Sequence, residues 1–428
     1  MVVVAACGGG NDDKPVATGS GTGTSSVAEP VKPLTPNDLI ARGTPTFIVG
    51  TLGDDAVDRA IAAQARFISQ LFPGATIVPD TSIDLAAGPS RWPANPVLYG
   101  GAHVNAVIAA LDKSLPLHVD ATQIMVGSET YAGLGQRVIT VVPAAPNHPA
   151  FLWYAGTGPS GVAEINAIGH GGEPLLIADV FGRLQRGTWV RAADGTVTAK
   201  LDVRARRIAW RNVERAVAGV PITVAFPHQL AAAPDEVAVV DAIVRAVGLA
   251  AERLKVAAPP AMTIYVYPDR RSKETLTGDK GDGHAVASGA AIHVVRFDPA
   301  GLEKLVTHEA THVITGQLWE PAGSPLLGEG LAVWTSGQYG GVSLVDWQRK
   351  LGDRPAAASL LPSKVFRGKP EAEAYPLGGM VITAAIKLVG LAGVRAHLFG
   401  ATSETWADAC KAAGTTAEVL DAAVAALR

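Results

Sequence analysis

The segment His308-Glu309-Ala310-Thr311-His312 sets two imidazoles four positions apart, with a carboxylate next to the first. On an α-helix, residues i and i+4 share one face, so both rings can reach a single cation. Zn²⁺ takes imidazole nitrogens at about 2.0–2.1 Å, and this is the spacing of a metal-binding pair. Glu309, one position on, falls beside the metal position rather than on it. A carboxylate there can serve as a general base toward water.

A helix must carry that pattern, and the sequence supplies its start. Asp298 can cap free backbone N–H groups, and Pro299 suits the first helical position. Upstream, Ile222–Phe226 reads as a strand. Residues 235–256 read as a long helix with Val239, Ile243, Val247 and Ala250 on its inner face. Residues 262–267 form a strand that stops at Pro268, and 273–283 are polar and glycine-bearing, so they read as a loop. Residues 290–295 are a further strand, and helices dominate from there to the end.

Earlier in the chain, apolar runs at 46–50, 96–100, 137–143, 150–155 and 174–179 alternate with helical patterns at 54–72 and 104–111. Strands alternating with helices predict an α/β module with a mostly parallel sheet covered on both faces. The expected division is a leader and flexible linker over 1–44, an α/β accessory module over 45–205, and a metal-binding domain over 206–428.

Composition narrows the function classes. Of 428 residues, 48% are hydrophobic and 18% charged, enough apolar surface to bury the cores of two or three domains. The net charge is −3, from 36 basic and 39 acidic residues, so no basic field exists to bind nucleic acid. The two cysteines, Cys7 and Cys410, make neither a disulfide framework nor an all-cysteine zinc site. Cys410, in an alanine-rich helical segment, reads as a buried free thiol. No run of about 18 uninterrupted apolar residues predicts a membrane-spanning helix.

The pattern becomes more specific downstream of the histidines. The H-E-x-x-H, a short loop, and then Glu329-Gly330-Leu331-Ala332 together resemble the gluzincin group of zinc metallopeptidases, the thermolysin-like and aminopeptidase-like clan. The resemblance covers about 208–400. It implies an α+β zincin-like domain with a largely helical C-terminal part. It also implies that His308, His312 and Glu329 bind Zn²⁺ and that Glu309 is the general base of peptide hydrolysis. The gap between His312 and Glu329, residues 313–328, is shorter than in better-known members, but Gly323, Pro325 and Gly328 suit a tight turn between two helices.

Members of the group pair an extended peptide with an edge strand before the zinc helix, a role expected here of 290–295. They often supply a tyrosine or histidine from a later helix to the oxyanion. Tyr375, just before an apolar helix, is the candidate catalytic donor, with Tyr339 second. His293 is expected to be a solvent-facing strand residue. No G-x-M-E-N-like motif for a free amine precedes the helix, which favours internal cleavage of a peptide or protein substrate.

Val4, Ala5, Ala6 and Cys7 resemble a bacterial lipobox, followed by a tether rich in Gly, Ser, Thr and Asp. Lipidation at Cys7 would place the chain on the periplasmic or outer face of the cell envelope, touching membrane only through that anchor. Residues 45–200 resemble the α/β module appended to some secreted bacterial esterases and peptidases. Gly156, Gly158 and Gly161 form a G-x-G-x-x-G after a strand, with Asp179 ending the next strand, the outline of a dinucleotide fingerprint. Its helix is too short for a good crossover, so a structural turn is expected. The competing function is nonetheless a nucleotide- or ligand-binding envelope protein acting through this module, with a non-catalytic zinc site. Ser160 lacks the second glycine of a nucleophile elbow.

Overall fold

A computed structural model describes residues 33–427, apart from 164, 166–167, 203–208, 229–234 and 353. Cys7 and its flanking residues lie outside this set, as does the expected domain boundary near 205. Part of the expected linker is structured. Helix α1 (Pro36–Ile40) has a capping box at Thr35 and Asp38, and buries Leu39 in the module core.

The α/β module is built from strands β1 (Thr46–Val49), β2 (Thr76–Pro79) and β3 (Pro96–Tyr99), with helix α2 (Asp55–Ser69) between the first two and α3 (Ala106–Leu111) after the third. A small three-stranded sheet follows, β4 (Leu117–Val119), β5 (Gln123–Val126) and β6 (Glu129–Ala132). Then come β7 (Arg137–Val142), β8 (Phe151–Gly156), helix α4 (Gly158–Ala163), β9 (Leu175–Ala178), β10 (Leu184–Arg191) and β11 (Val197–Leu201).

The main sheet has the order β11-β10-β9-β7-β8-β3-β1-β2. Only β2–β1–β3–β8 is parallel; β8–β7, β7–β9, β9–β10 and β10–β11 pair antiparallel. The expectation of a mostly parallel sheet is therefore corrected to a mixed one. The short connection from β7 to β8 makes a hairpin, for which a parallel crossover has too few residues. Alternation along the strands gives two apolar layers. Phe47, Val97, Tyr99 and Ile139 face one way, and Ile48, Leu98, Val138 and Trp153 the other.

The second unit centres on a five-stranded sheet. Its elements are β12 (Trp210–Val217), β13 (Val220–Pro227), helix α5 (Glu236–Arg253), β14 (Met262–Tyr267), helix α6 (Arg270–Thr277), β15 (Gly283–Val286) and β16 (Ala291–Val295). The strand order is β12-β13-β14-β16-β15. Helix α7 (Pro299–Leu318) lies beside α5, and α8 (Pro325–Ser336) follows it. The hairpin β17 (Gln338–Tyr339) and β18 (Val342–Ser343) leads through short helices α9 (Leu344–Lys350), α10 (Ala357–Leu360) and α11 (Ser363–Arg367) to α12 (Glu371–Gly393). Helices α13 (Trp406–Ala412) and α14 (Ala417–Ala425) complete the described chain.

One face of this sheet packs on α5 and α7 in the largest apolar core, which includes Ile264, Ile292, Val306 and Val313. The other face, with Tyr265, Tyr267 and Ala291, is covered by Leu276 of α6 and by Phe181 of the module. The segment Glu371–Leu398 is long and apolar enough, by length and composition, to cross a membrane, with a mean hydropathy of 1.9. Here it is a core helix: Leu377, Met380, Val381 and Ala384 are buried against α8 and its neighbours. Cys410 is a fully buried free thiol, as expected.

Candidate metal centre

Helix α7 starts where the sequence places it. Asp298 accepts from Gly301 N at 2.9 Å, and Pro299 occupies the first turn. The helix is buried on several sides, so its threonines need internal partners. Thr307, Thr311 and Thr315 donate to the carbonyls of Glu303, Thr307 and Thr311 at 2.6, 2.9 and 2.8 Å. Helix α8 opens with Ser324, which accepts from Leu326 N at 3.2 Å, followed by Pro325. It ends at Gly337, in the left-handed conformation at φ 72°.

These two helices bring His308, His312 and Glu329 together, the one such three-residue cluster found among the described residues. His308 Nε2 lies 3.3 Å from Glu329 Oε2, His312 Nε2 lies 3.3 Å from the same oxygen, and the two Nε2 atoms are 3.3 Å apart. The donors thus form an equilateral triangle. Ligands held at about 2.0–2.1 Å around a tetrahedral ion sit about 3.3–3.4 Å apart, so the triangle fits one face of a zinc coordination sphere. Two imidazoles and a carboxylate are also the donor set that suits a divalent zinc ion.

The electrostatics agree with a site built for a cation. Burial acts to raise the Glu329 carboxyl, yet His312 and His308 hold it well below the ordinary range. Burial acts against charge on His312, but Glu329 keeps that imidazole above its ordinary value. The carboxylate therefore stays ionised although it is largely buried, and its Oε2 and the two Nε2 atoms converge on one point.

Glu309 is 6% exposed and lines the cleft beside the triangle. A Cβ on Gly283 would come within 3.0 Å of Glu309 Oε1 and 2.9 Å of Leu305 Cδ1. With no side chain at position 283, strand β15 lies close against the face of α7 that carries Leu305 and Glu309. The cleft encloses about 660 Å³ between α7, the loop 279–282, β15, the β17–β18 hairpin and the start of α12.

Tyr375 lies inside the first turns of α12, not before the helix, with Pro376 following it. Its ring is nearly parallel to that of His308, with centroids 6.4 Å apart. Burial pushes its hydroxyl well above its ordinary value, with Glu329 and Glu371 adding to the effect, so it remains a donor. Tyr339 packs 4.9 Å from Tyr375 and donates to Glu371 Oε2 at 3.1 Å.

A glycine crossing sets this geometry. A Cβ on Gly330 would meet the Gly378 carbonyl carbon at 2.5 Å, and one on Gly378 would meet Gly330 Cα at 2.9 Å. The close approach of α8 and α12 places Glu329 and Tyr375 around the same point. The E-G-x-A pattern contains one half of that crossing; Gly378 carried no signal that it was the other.

Three expectations are corrected. Residues 291–295 form an inner strand, and the edge of the sheet is β15, from a stretch read partly as loop. Its four residues begin with a glycine and follow a polar turn, which hides the alternation. The polar stretch before it also contains α6, capped by Asp269 accepting from Ser272 N at 2.7 Å. His293 is fully buried, not solvent-facing.

A further cluster went unread in the sequence. Lys273 is fully buried and ion-pairs with Asp279, and His284 Nδ1 lies 3.4 Å from Asp279 Oδ1. Asp279 and His284 both line the cleft. The glycine-rich turn after β8 is structural in its packing. A Cβ on Gly156 would meet Gly161 at 2.7 Å, and one on Gly161 would meet Gln136 O at 2.7 Å.

No protein-family model matches the sequence, and no curated protein sequence matches it. Among solved structures, an M1 zinc metallopeptidase from Deinococcus radiodurans aligns at 14% identity, over 57% of this chain and 56% of that one, with a TM-score of 0.35. An aminopeptidase N family protein from Idiomarina loihiensis aligns at 11% identity, over 69% of this chain and 57% of that one, with a TM-score of 0.32. The chain spans a little over half the length of these structures. Overlaps of this size fix neither family nor activity.

Proposed function

We propose that this chain is a zinc-dependent peptidase. The observation that carries the reading is the 3.3 Å triangle of His308, His312 and Glu329, with buried Glu309 beside it on the floor of an open cleft. His308, His312 and Glu329 would hold the Zn²⁺. When bound, the ion supplies Lewis acidity toward a carbonyl oxygen and makes a neighbouring water more acidic. A purely structural zinc site takes four protein ligands, whereas this one offers three and opens to the cleft.

Glu309 then acts as the general base. Its carboxylate takes a proton from water as the oxygen attacks the scissile carbonyl carbon, and returns that proton to the departing amine nitrogen. The C–N bond breaks, and a carboxylic acid and an amine leave. The Tyr375 hydroxyl donates to the carbonyl oxygen as negative charge develops there. One such donor is worth about 10²–10³ in rate. The free edge of β15 offers main-chain donors and acceptors to an extended peptide, and internal cleavage of peptides or proteins is the expected mode.

The setting we infer is the bacterial cell envelope, through lipid attachment at Cys7. Loss of labelled palmitate from the Cys7→Ser chain would support it, and unchanged labelling would refute it. The peptidase reading is tested by metal analysis of the purified full chain together with a peptide-library digest read by mass spectrometry. About one zinc per chain and chelator-sensitive cleavage support it. A chain that holds no zinc, or holds zinc and cleaves nothing, refutes it.

A further inference from the structure

The turn between β9 and β10 of the α/β module lies against the β15–β16 hairpin at the cleft's edge. Asp179 shapes that turn. Its Oδ1 accepts from Phe181 N and Arg183 N at 2.9 Å each, and its Oδ2 accepts from Arg183 Nε at 2.7 Å. Three successive residues then press on this sheet, Val180 and Gly182 on the β15–β16 hairpin and the Phe181 ring on β14. The Val180 carbonyl occupies the space a side chain on Gly289 would need. Phe181 packs edge-on against Tyr265, with centroids 6.1 Å apart. A Cβ on Gly182 would come within 2.7 Å of Val286 Cγ2. Arg137 of β7 adds a hydrogen bond to Ser288 Oγ, in the same hairpin, at 2.9 Å.

The Phe181 carbonyl also holds His293. A carbonyl only accepts, so His293 Nε2 carries the proton and donates to it. Nδ1 therefore accepts from the Tyr267 hydroxyl, 2.9 Å away. Burial keeps this imidazole neutral, as the single-proton arrangement requires. Its ring stacks on His284, with centroids 4.7 Å apart and planes 11° apart. His284 in turn lies against Asp279, which Lys273 anchors. A continuous series of contacts thus runs from a backbone carbonyl of the module to the wall of the cleft.

We propose that the 179–183 turn is an intramolecular clamp on the cleft's edge strand, with His293 the positioning residue that passes its hold to β15. Strand β15 has four residues and one pairing partner, β16. A strand so short at a sheet edge is weakly held by its own ladder. The module supplies the missing support on the side opposite Glu309. Only the catalytic consequence rests on the peptidase reading: a loosened β15 weakens substrate binding and leaves the chemical step in place.

The test uses the zinc-loaded full chain and three variants. Asp179→Ala loosens the turn from the module side, at a partly exposed residue outside the cleft lining. His293→Phe removes the donor to Phe181, and His293→Gln keeps one. The clamp predicts that in Asp179→Ala the amides of 283–286 exchange at least about tenfold faster while those of α7 do not change. It predicts a KM raised about fivefold to tenfold with kcat within about twofold, zinc content unchanged, and His293→Gln closer to wild type than His293→Phe.

Unchanged exchange at 283–286 in folded Asp179→Ala overturns the clamp. Wild-type exchange at 283–286 and wild-type KM in His293→Phe remove the positioning role from His293. A wild-type chain that cleaves no peptide defeats the peptidase reading, while the exchange result still decides the clamp.

Discussion

Two pairs of glycines bring backbone into close contact in this molecule, and they do different work. Gly156 and Gly161 let β8 fold tightly onto α4, against Gln136 O. Gly330 and Gly378 let α8 cross α12 at a similar separation. The first pair joins backbone to backbone, and the cluster of His308, His312 and Glu329 lies elsewhere. The second pair is flanked by Glu329 on one helix and Tyr375 on the other, so closing the crossing closes the site. A glycine motif therefore indicates close approach, and the residues beside it decide whether that approach does chemistry.

The largest expected effect comes from removing what the second crossing delivers. Glu329→Ala leaves two imidazoles without their carboxylate. Zinc affinity and peptide hydrolysis should each fall by more than about 10³-fold, measured by metal titration and by turnover. Tyr375→Phe should keep zinc and substrate affinity and lower kcat by about 10²-fold, as expected for loss of one oxyanion donor. A Tyr375→Phe chain with wild-type kcat would demote the ring to packing.

The glycines themselves make the sharper contrast. Gly330→Ala and Gly161→Ala each force a methyl group into backbone, and each should cost about 1–3 kcal/mol in thermal or denaturant unfolding. Only Gly330→Ala should also lower kcat, because it moves α12 away from Glu329. Gly161→Ala should leave zinc content and kcat/KM unchanged, and NAD should not raise the wild-type melting temperature. A melting shift with NAD would break the comparison by giving the first glycine pair a ligand.

A smaller effect concerns pH. Burial acts to raise the Asp279 carboxyl, but His284 and Lys273 hold it well below the ordinary range. A depressed carboxyl stabilises the fold above its unfolded value of about 3.9 and loses that contribution as pH falls toward its folded value. The stability difference between wild type and Asp279→Asn should therefore be full near pH 6 and shrink below about pH 4 in urea titrations. A difference independent of pH would mean that the Lys273–Asp279 pair adds nothing to the cleft wall.

What the sequence disclosed was local. The four-residue spacing of His308 and His312, the cap at Asp298 and the long apolar face of α5 each depend on neighbours within a turn or two. Distant partners were hidden. His293 looked solvent-facing because its acceptor, the Phe181 carbonyl, is 112 positions away. Strand β15 escaped notice because Gly283 and the polar turn before it interrupt the apolar alternation. The parallel character of the module sheet was overestimated because β7 and β9 reverse direction through pairings that no local pattern specifies. The Glu329 position was legible from its resemblance to a known motif, but its α12 counterpart, Gly378, was not.

The central claim is that Glu309 works beside a metal held by its three neighbours. Replacing Glu309 with Gln preserves size and burial while removing the base, so metal content and turnover measured on one preparation separate binding from chemistry. The account predicts about one zinc per chain in both wild type and Glu309→Gln, with kcat lowered by about 10³-fold or more. A zinc-loaded Glu309→Gln chain that hydrolyses peptide within about tenfold of wild type would contradict it.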